Sequence, residues 1–212
     1  MYAISKLYVK SSRPLPLIQK DGAHVLKLVE KSPFEGLLPI SCGSFTFSED
    51  TTEYITSIAS KKGNFKQLSG ALKTAHGMAL PAPNRMTGRE GARCVWLGQQ
   101  YLLLGPKPDQ SLKNFARLTD VSDGYAVARA VGPHIEEVLA RLTPVDVSHR
   151  VFKRGQTART LIHHLTGSLS RISDTAFQII VFRSMAFTLA RDMERAMHSV
   201  SARDQIELRT RT

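Results

Sequence analysis

The chain has 212 residues, 42% of them hydrophobic and 22% charged, which is the composition of an ordinary globular protein. No apolar run reaches the roughly 18 residues that a membrane helix needs, and the first residues lack the continuous hydrophobic core of a secretory signal. Two cysteines, Cys42 and Cys94, are too few for a disulfide framework and form no CxxC pair that would indicate zinc. We therefore expect a protein of the reducing cytoplasm, without a membrane partner.

The net charge of +11 is concentrated near the end of the chain. Residues 141–212 hold 12 basic and 6 acidic residues, and 11 of the 12 are arginines. Arginine is preferred in ion pairs at interfaces, although solvated arginines that only keep the chain soluble are an equal alternative. Binding to nucleic acid is disfavoured, because its signature motifs and aromatic stacking platforms are missing.

The first third predicts an irregular extension followed by short elements. Four are predicted: a strand at residues 24–29, a strand at 37–47, a helix at 49–59 and a helix at 65–76. Ser48 or Asp50 is a candidate N-cap of the first helix. Phe65, Leu68 and Leu72 are spaced to form one apolar face of the second helix.

The middle of the chain predicts loops and a hairpin. Residues 81–91 are rich in proline, glycine, asparagine and arginine, which is typical of a loop. Residues 98–100 separate two apolar runs, 94–97 and 101–104, and this pattern predicts a β-hairpin. A turn at 106–109 and a helix at 111–118 are expected next.

Residues 118–197 carry the clearest pattern. The run 125–131 predicts a strand with three alanines on one face and larger residues on the other: Tyr125, Val127, Arg129 and Val131. Gly132 and Pro133 end that strand and open a helix that Pro144 ends. The helix has an inward face of four residues: Ile135, Val138, Leu139 and Leu142.

The remaining elements are a hairpin, a strand and a last helix. The hairpin has strands at 160–165 and 169–172 around a turn at 166–168, and an apolar strand follows at 177–182. Ser184 is the candidate cap of the last helix. Its inward stripe contains Ala186, Leu189, Ala190, Met193 and Met197.

This order predicts an α+β fold in which helices pack on largely antiparallel sheets in two lobes. We expect an N-terminal extension at 1–35, an N-terminal lobe at 36–117, a C-terminal lobe at 118–200 and a flexible polar tail at 201–212.

A search for reaction chemistry yields no candidate catalytic, cofactor-binding or metal-ligating residue. There is no GxGxxG between a strand and a helix, and no P-loop. His163 and His164 fall in a predicted strand, so they should point to opposite faces, one buried and one exposed. Ser122 suits a turn better than a nucleophile, because no histidine is placed to activate it. Asp120 and Asp123 are explained as turn formers rather than as paired carboxylates.

Four arginines are candidates for a subunit interface or a structural ion pair: Arg129, Arg150, Arg154 and Arg183. Arg129 shares a strand face with apolar residues, and an unpaired buried charge costs several kcal/mol. Its partner is expected to be Asp120, Asp123 or Asp146, or a carboxylate of another subunit. Arg183 faces the same choice.

An ordered series of short motifs between residues 75 and 199 resembles the gamma subunits of heterotetrameric sarcosine oxidases. The motifs, in chain order, are ALPAPN at 79–84, VWLG at 95–98, YLLL at 101–104, DVSD at 120–123, VGP at 131–133, LARLTPVDV at 139–147, Phe152 with Gly155, and VFRSMA at 181–186. The first seventy residues match weakly.

The resemblance implies a fold like the folate-binding domain of glycine-cleavage aminomethyltransferases, in a subunit without known catalytic residues. The implied partners are alpha, beta and delta subunits. FAD and FMN would be held by beta and its boundary with alpha, NAD and tetrahydrofolate by alpha, and zinc by delta. Such assemblies oxidise sarcosine to glycine, pass the one-carbon unit to tetrahydrofolate and reduce oxygen to hydrogen peroxide.

Two alternatives stay open. The chain could be a free-standing folate-binding protein of the aminomethyltransferase type, or a subunit of the related N-methylglutamate dehydrogenase. The sequence does not identify the N-methyl amino acid.

Overall fold

The computed structural model describes residues 31–210, and the side chains there except those of residues 204 and 207–210. The predicted strand at 24–29 and nearly all of the predicted extension lie outside this range. The described residues from 33 onward belong to one compact unit, which contains every element described below.

The described residues form eleven strands and three α-helices, with short 3₁₀ helices between some of them. The strands are β1 (Ile40–Cys42), β2 (Phe45–Glu49), β3 (Tyr54–Ser60), β4 (Met86–Arg89), β5 (Ala92–Trp96), β6 (Tyr101–Gly105), β7 (Ala116–Asp120), β8 (Tyr125–Val131), β9 (Thr157–Ile162), β10 (Leu165–Ser173) and β11 (Ala176–Phe182). The helices are α1 (Phe65–His76), α2 (Ile135–Leu139) and α3 (Ala186–Thr210).

The strands form two antiparallel sheets. A six-stranded sheet has the order β1-β2-β8-β11-β10-β9, and a five-stranded sheet has the order β4-β5-β6-β3-β7. Every pair of neighbouring strands is antiparallel. The predicted α+β class with largely antiparallel sheets is therefore confirmed.

The two sheets pack face to face, and helices cover their outer faces. Side chains from both sheets form the central core: Ile55, Val95, Leu97, Leu102, Leu104, Val127 and Ile180. Alternate residues of the five-stranded sheet, such as Cys94 and Leu103, contact Leu68 and Leu72 of α1. On the other side, α2 and α3 pack on the six-stranded sheet. The described residues thus form four layers.

The alanine face of β8 lies under the helices. Ala126, Ala128 and Ala130 are fully buried in the same cluster as Leu189 and Met193 of α3. Small side chains allow a helix to approach a sheet closely. The predicted inward stripe of the last helix is confirmed as well, since all five of its residues are buried.

Several local predictions agree with the structure. The helix at 65–76 and the strand at 125–131 have the predicted bounds, and β5, β6 and β11 match the predicted strands within two residues. In α1, Leu68 and Leu72 are buried, but Phe65 is 46% exposed. The buried face of α1 therefore contains two of the three residues that the helical spacing predicted.

The predicted helix at 49–59 is wrong, because β3 occupies residues 54–60. This strand lies between β6 and β7 and is covered on both faces. Its central residues, Ile55 to Ile58, are all buried, so the run lacks the alternation that identifies a half-exposed strand.

Three neighbouring predictions also need correction. The predicted strand at 37–47 is the hairpin β1–β2, and the predicted loop at 81–91 contains β4. The predicted helix at 111–118 is a 3₁₀ helix, Gln110–Asn114, followed by β7. The short strands β1, β2, β4 and β7 are set by sheet pairing rather than by their own periodicity.

The predicted turn at 166–168 lies inside β10, and the chain turns instead at His163 and His164. His163 adopts a left-handed conformation with φ of 53°. Gly167 serves close packing rather than a turn. A Cβ there would lie 3.0 Å from both Ile162 Cδ1 and Ile180 O.

Both helices near the end of the chain differ from expectation. α2 starts at Ile135, after His134 in a left-handed conformation, so Pro133 precedes the helix rather than opening it. α3 continues to Thr210, and residues 201–210 of the predicted tail are helical. Ser184 lies in a 3₁₀ helix, Arg183–Met185, before α3.

Candidate functional site

A row of side chains crosses one end of the six-stranded sheet. Phe182 of β11 pairs with Tyr125 of β8, and Leu161 of β9 pairs with Thr166 of β10. Gly167 pairs with Val181, which places Thr166 beside Phe182. Leu161, Thr166, Phe182 and Tyr125 are called the end row below.

The end row lies on the face that packs against the five-stranded sheet. Val127 and Ile180, two residues further along β8 and β11, point to the same side and belong to the core between the sheets. They are 4% and 2% exposed, whereas Phe182 is 47% and Leu161 49% exposed. The inner face of the six-stranded sheet therefore extends beyond the part that the five-stranded sheet covers.

Two aromatic rings stabilise the end row. The rings of Tyr125 and Phe182 stack with centroids 5.4 Å apart and an interplanar angle of 25°. Such pairs contribute about 0.5–1.5 kcal/mol beyond area burial. Met185 and Phe187, which follow Phe182 in the chain, are also exposed. Single exposed apolar residues are ordinary, but a group of them indicates an interaction surface.

A small cleft lies on one side of Phe182, between the sheet and the β5–β6 turn. Its volume is about 30 Å³, and Arg159 and Gln100 supply its polar lining. Ser57 Oγ donates to Gln100 Oε1 at 2.9 Å, and Arg159 Nη1 donates to Leu97 O at 3.4 Å. Pockets for small molecules are roughly 300–1,000 Å³, so a flavin or a nicotinamide does not fit here.

A larger open cleft of about 600 Å³ lies on the other side, lined by residues 120–125 and Phe182. Asp120 Oδ1 accepts from Ser122 Oγ at 2.6 Å and from Ser122 N at 3.0 Å. These bonds, the hydroxyl first, hold the pKa of the Asp120 carboxyl below its ordinary value. Ile55 N donates to Ser122 Oγ at 3.0 Å. This geometry fits the predicted turn role of Asp120 and Ser122, because the serine hydroxyl is engaged on both sides.

Arg129 has a partner that the sequence did not indicate. Its Nη1 donates to Glu90 Oε1 at 2.8 Å, so the expected ion pair with Asp120, Asp123 or Asp146 is wrong. Glu90 lies between β4 and β5 in the other sheet, and no local spacing could connect it with β8. The Arg129 side chain is 33% exposed and that of Glu90 is 80% exposed, so water reaches this ion pair mainly at the Glu90 carboxylate.

The other three predicted arginines lie at separate places. Arg150 and Arg154 are exposed in the loop between α2 and β9. Arg183 is half-buried in the 3₁₀ helix directly after Phe182. Their role at a subunit interface stays a prediction.

The opposite end of the inner face is closed by polar contacts between the sheets. Asp50 Oδ2 accepts from Arg93 Nη1 at 3.1 Å and from Gln178 Nε2 at 2.8 Å. Arg93 belongs to β5 and Gln178 to β11, so one carboxylate links the two sheets. Sequence reasoning missed this cluster, because its three members are far apart in the chain.

Arg171 is a buried arginine that the sequence search also missed. Its guanidinium donates to Asp174 O at 2.9 Å and to Val147 O, and lies 4.4 Å from the centroid of the Phe177 ring. The contact to Val147 holds the loop between α2 and β9 against the sheet. The available signal was an arginine between Leu169 and Ile172, inside the predicted strand at 169–172.

The two histidines do not behave as predicted. They form the β9–β10 turn, both are exposed, and their rings lie 4.0 Å apart. His163 Nδ1 lies 3.1 Å from Asp192 Oδ2 on α3.

No group of three side chains suited to hold a metal ion occurs between residues 31 and 203. Burial raises the pKa of the Cys94 thiol to about 12, which makes it a poor nucleophile.

Comparisons with known proteins identify the fold. The chain is similar to a chain of heterotetrameric sarcosine oxidase from Corynebacterium sp. U-96, in a structure with pyrrole 2-carboxylate. The TM-score is 0.68 at 21% identity, over 81% of this chain and 96% of that chain. No protein-family model and no curated protein matches the sequence.

Two further solved structures are more distant. They are aspartokinase III from E. coli, with aspartate and ADP, and aspartate kinase from Clostridium acetobutylicum. Both are 10% identical, with TM-scores of 0.37 and 0.34, and the match covers 74% of this chain but only 34% and 35% of theirs.

Within the described residues, no helix is both long and apolar enough to cross a membrane.

Proposed function

We propose that this chain is a non-catalytic structural subunit, of the gamma type, in a heterotetrameric sarcosine oxidase complex. The complex would oxidise sarcosine to glycine and transfer the one-carbon unit to tetrahydrofolate. The observation that carries the proposal is the fold match, which extends over 96% of a chain from such an assembly. The ordered motifs between residues 75 and 199 support it from the sequence.

The side chains that could perform chemistry are used for structure. Ser122 closes a turn, Cys94 is buried, and Asp50 links the sheets. The small cleft beside Phe182 holds no more than a water-sized group. As the family resemblance implies, the proposal assigns FAD, FMN, NAD, tetrahydrofolate and zinc to the alpha, beta and delta partners.

The exposed end row gives the proposal a structural basis in this chain. Subunits that function in permanent assemblies bury large apolar interfaces, and their isolated forms expose those surfaces. Phe182 and Leu161 are half-exposed continuations of an interior sheet face. We expect the isolated chain to be less stable and more prone to association than the assembled chain.

Purification of the tagged chain from its own cells tests the proposal. We expect it to elute with larger companions, one of them yellow with bound flavin, and we expect the eluate to oxidise sarcosine. Oxidation of N-methylglutamate instead would assign the assembly to the related dehydrogenase.

Recovery of the chain alone would contradict the proposal. Titration of tetrahydrofolate into the pure chain then separates the alternatives, because saturable binding would favour a free-standing folate-binding protein. An untagged strain processed identically is the control for flavoproteins that bind the resin.

A further inference from the structure

We propose that the end row is the surface on which a partner subunit docks. The docking segment would place an apolar side chain over Phe182, a carboxylate toward Arg159 and a basic side chain toward Asp123. This inference rests on the proposed function and names the contact that such a subunit would use.

The five-stranded sheet stops covering the inner face of the six-stranded sheet abruptly along β11. Along β11, the inner face carries Gln178, Ile180 and Phe182, of which the first two are buried and the third is 47% exposed. Leu161 on the edge strand β9 is exposed on the same face. An occupant of this surface must therefore be apolar at its centre, because it continues the packing that Ile180 makes inside.

Side chains of opposite charge lie on the two sides of the end row. Arg159 is exposed on β9, two residues from Leu161 and on the same face, and it lines the small cleft beside Phe182. Asp123 is exposed on the opposite side, in the open cleft that Phe182 and Tyr125 also line. The apolar row thus has a cation at the β9 side and an anion at the β8 side. A complementary segment carries the opposite charges in matching order.

A second copy of this chain is a weaker occupant. Two copies in antiparallel orientation would also bring Arg159 near Asp123, but each copy carries a net charge of +11 and they repel. A partner chain of negative net charge would avoid this repulsion. Self-association through Phe182 is therefore a result that would overturn the inference.

Site-specific photo-crosslinking in the native cells tests the surface. Benzoylphenylalanine replaces Phe182 in one strain and Phe65 in another. Phe65 is a matched control because it is a phenylalanine of similar exposure, 46%, on α1 at the outer face of the other sheet. We expect the probe at 182 to form one adduct with a single larger chain. Peptide mass spectrometry should place the adduct in a segment that carries an apolar residue between an acidic and a basic residue.

Charge reversal sharpens the test. Arg159→Glu and Phe182→Ala should each weaken the assembly, and loss of a central aromatic anchor reduces affinity by about 30-fold or more. Lys62→Glu is the charge-matched control, because Lys62 is exposed in the loop before α1. It should leave the assembly unchanged, as should Phe65→Ala.

The outcomes separate this inference from the proposed function. If the chain still purifies with its flavin-containing companions but crosslinks to them only from position 65, the docking surface is wrong and the proposed function stands. If the adduct at 182 joins two copies of this chain, the surface is a self-interface and the inference fails. If no companion is recovered and neither position crosslinks, both fail.

Discussion

The two ends of the inner sheet face differ in how they are closed. At one end, Asp50 binds Arg93 and Gln178 and joins the sheets within the chain. At the other end, Tyr125 and Phe182 stack on each other and stay partly exposed. Gln178 and Phe182, which mark the two ends on β11, are only four positions apart. The polar end is held by side-chain contacts within this chain, whereas the apolar end has the character of an interior surface that another molecule covers.

This contrast implies that substitutions at the two ends affect different properties. Changes at the polar end should reduce the stability of the chain itself. Changes at the apolar end should mainly reduce its binding to partners.

Asp50→Ala should destabilise the isolated chain by about 2–3 kcal/mol, because Arg93 and Gln178 lose their shared acceptor in a mostly buried site. The free energy of unfolding from urea denaturation measures the effect. Glu53→Ala, at an exposed position nearby, is the control and should change this free energy by less than about 0.5 kcal/mol. If Asp50→Ala lowers the free energy of unfolding by less than about 0.5 kcal/mol, the polar cluster does not stabilise its end of the inner sheet face.

Phe182→Ala should weaken assembly by about 2 kcal/mol but lower the unfolding free energy of the isolated chain by only about 1 kcal/mol, the contribution of its ring stack. Calorimetric titration with the purified companions and urea denaturation measure the two effects. Equal losses in both experiments would mean that Phe182 acts in the fold alone, and the contrast between the ends would disappear.

Loss of the ion pair in Arg129→Ala should cost about 1 kcal/mol or less, because its partner Glu90 is 80% exposed and water screens the pair. The variant should retain the catalytic turnover of the assembly once assembled, since no reacting group is involved. Thermal melting of the isolated chain and sarcosine turnover of the assembly are the measurements. Reduced turnover in a fully assembled variant would assign Arg129 a part in the chemistry.

Acid should remove a small stabilisation at Asp120. Its pKa in the folded chain is below the ordinary value, so the carboxylate stabilises the fold above about pH 4, and this contribution is lost as the pH falls through the folded pKa. Asp120→Asn should therefore be slightly less stable than the natural chain at pH 7 and equally stable near pH 2. Denaturation series at both values check this, and Asp123→Asn in the same turn controls for the loss of one exposed charge. A difference that persists unchanged at pH 2 would contradict the assignment.

Sequence reasoning succeeded where the pattern is local. The alternation of residues 125–131 identified β8, and the helical spacing of Leu68 and Leu72 identified α1. Each element has a covered face, and the residues on that face recur with a regular period in the sequence. It failed at β3, which is buried on both faces and has no such period. It also failed at 166–168, where Gly167 meets a packing requirement that only the neighbouring strands define.

The site was harder to predict than the fold. Phe182 could be recognised as part of an apolar strand, but its exposure depends on where the other sheet ends. The partner of Arg129 was predicted incorrectly, because Glu90 approaches from another sheet. The cluster of Asp50, Arg93 and Gln178 likewise depends on register between distant strands, which no single segment encodes.

The most direct test of the central claim compares turnover by the lone chain and by its assembly. Sarcosine oxidation is measured as hydrogen peroxide release, first with the chain purified alone and then after reconstitution with the companions isolated from its cells. The account predicts no turnover by the lone chain and full turnover only in the assembly. Turnover of sarcosine, or of any other N-methyl amino acid, by the lone chain would contradict it.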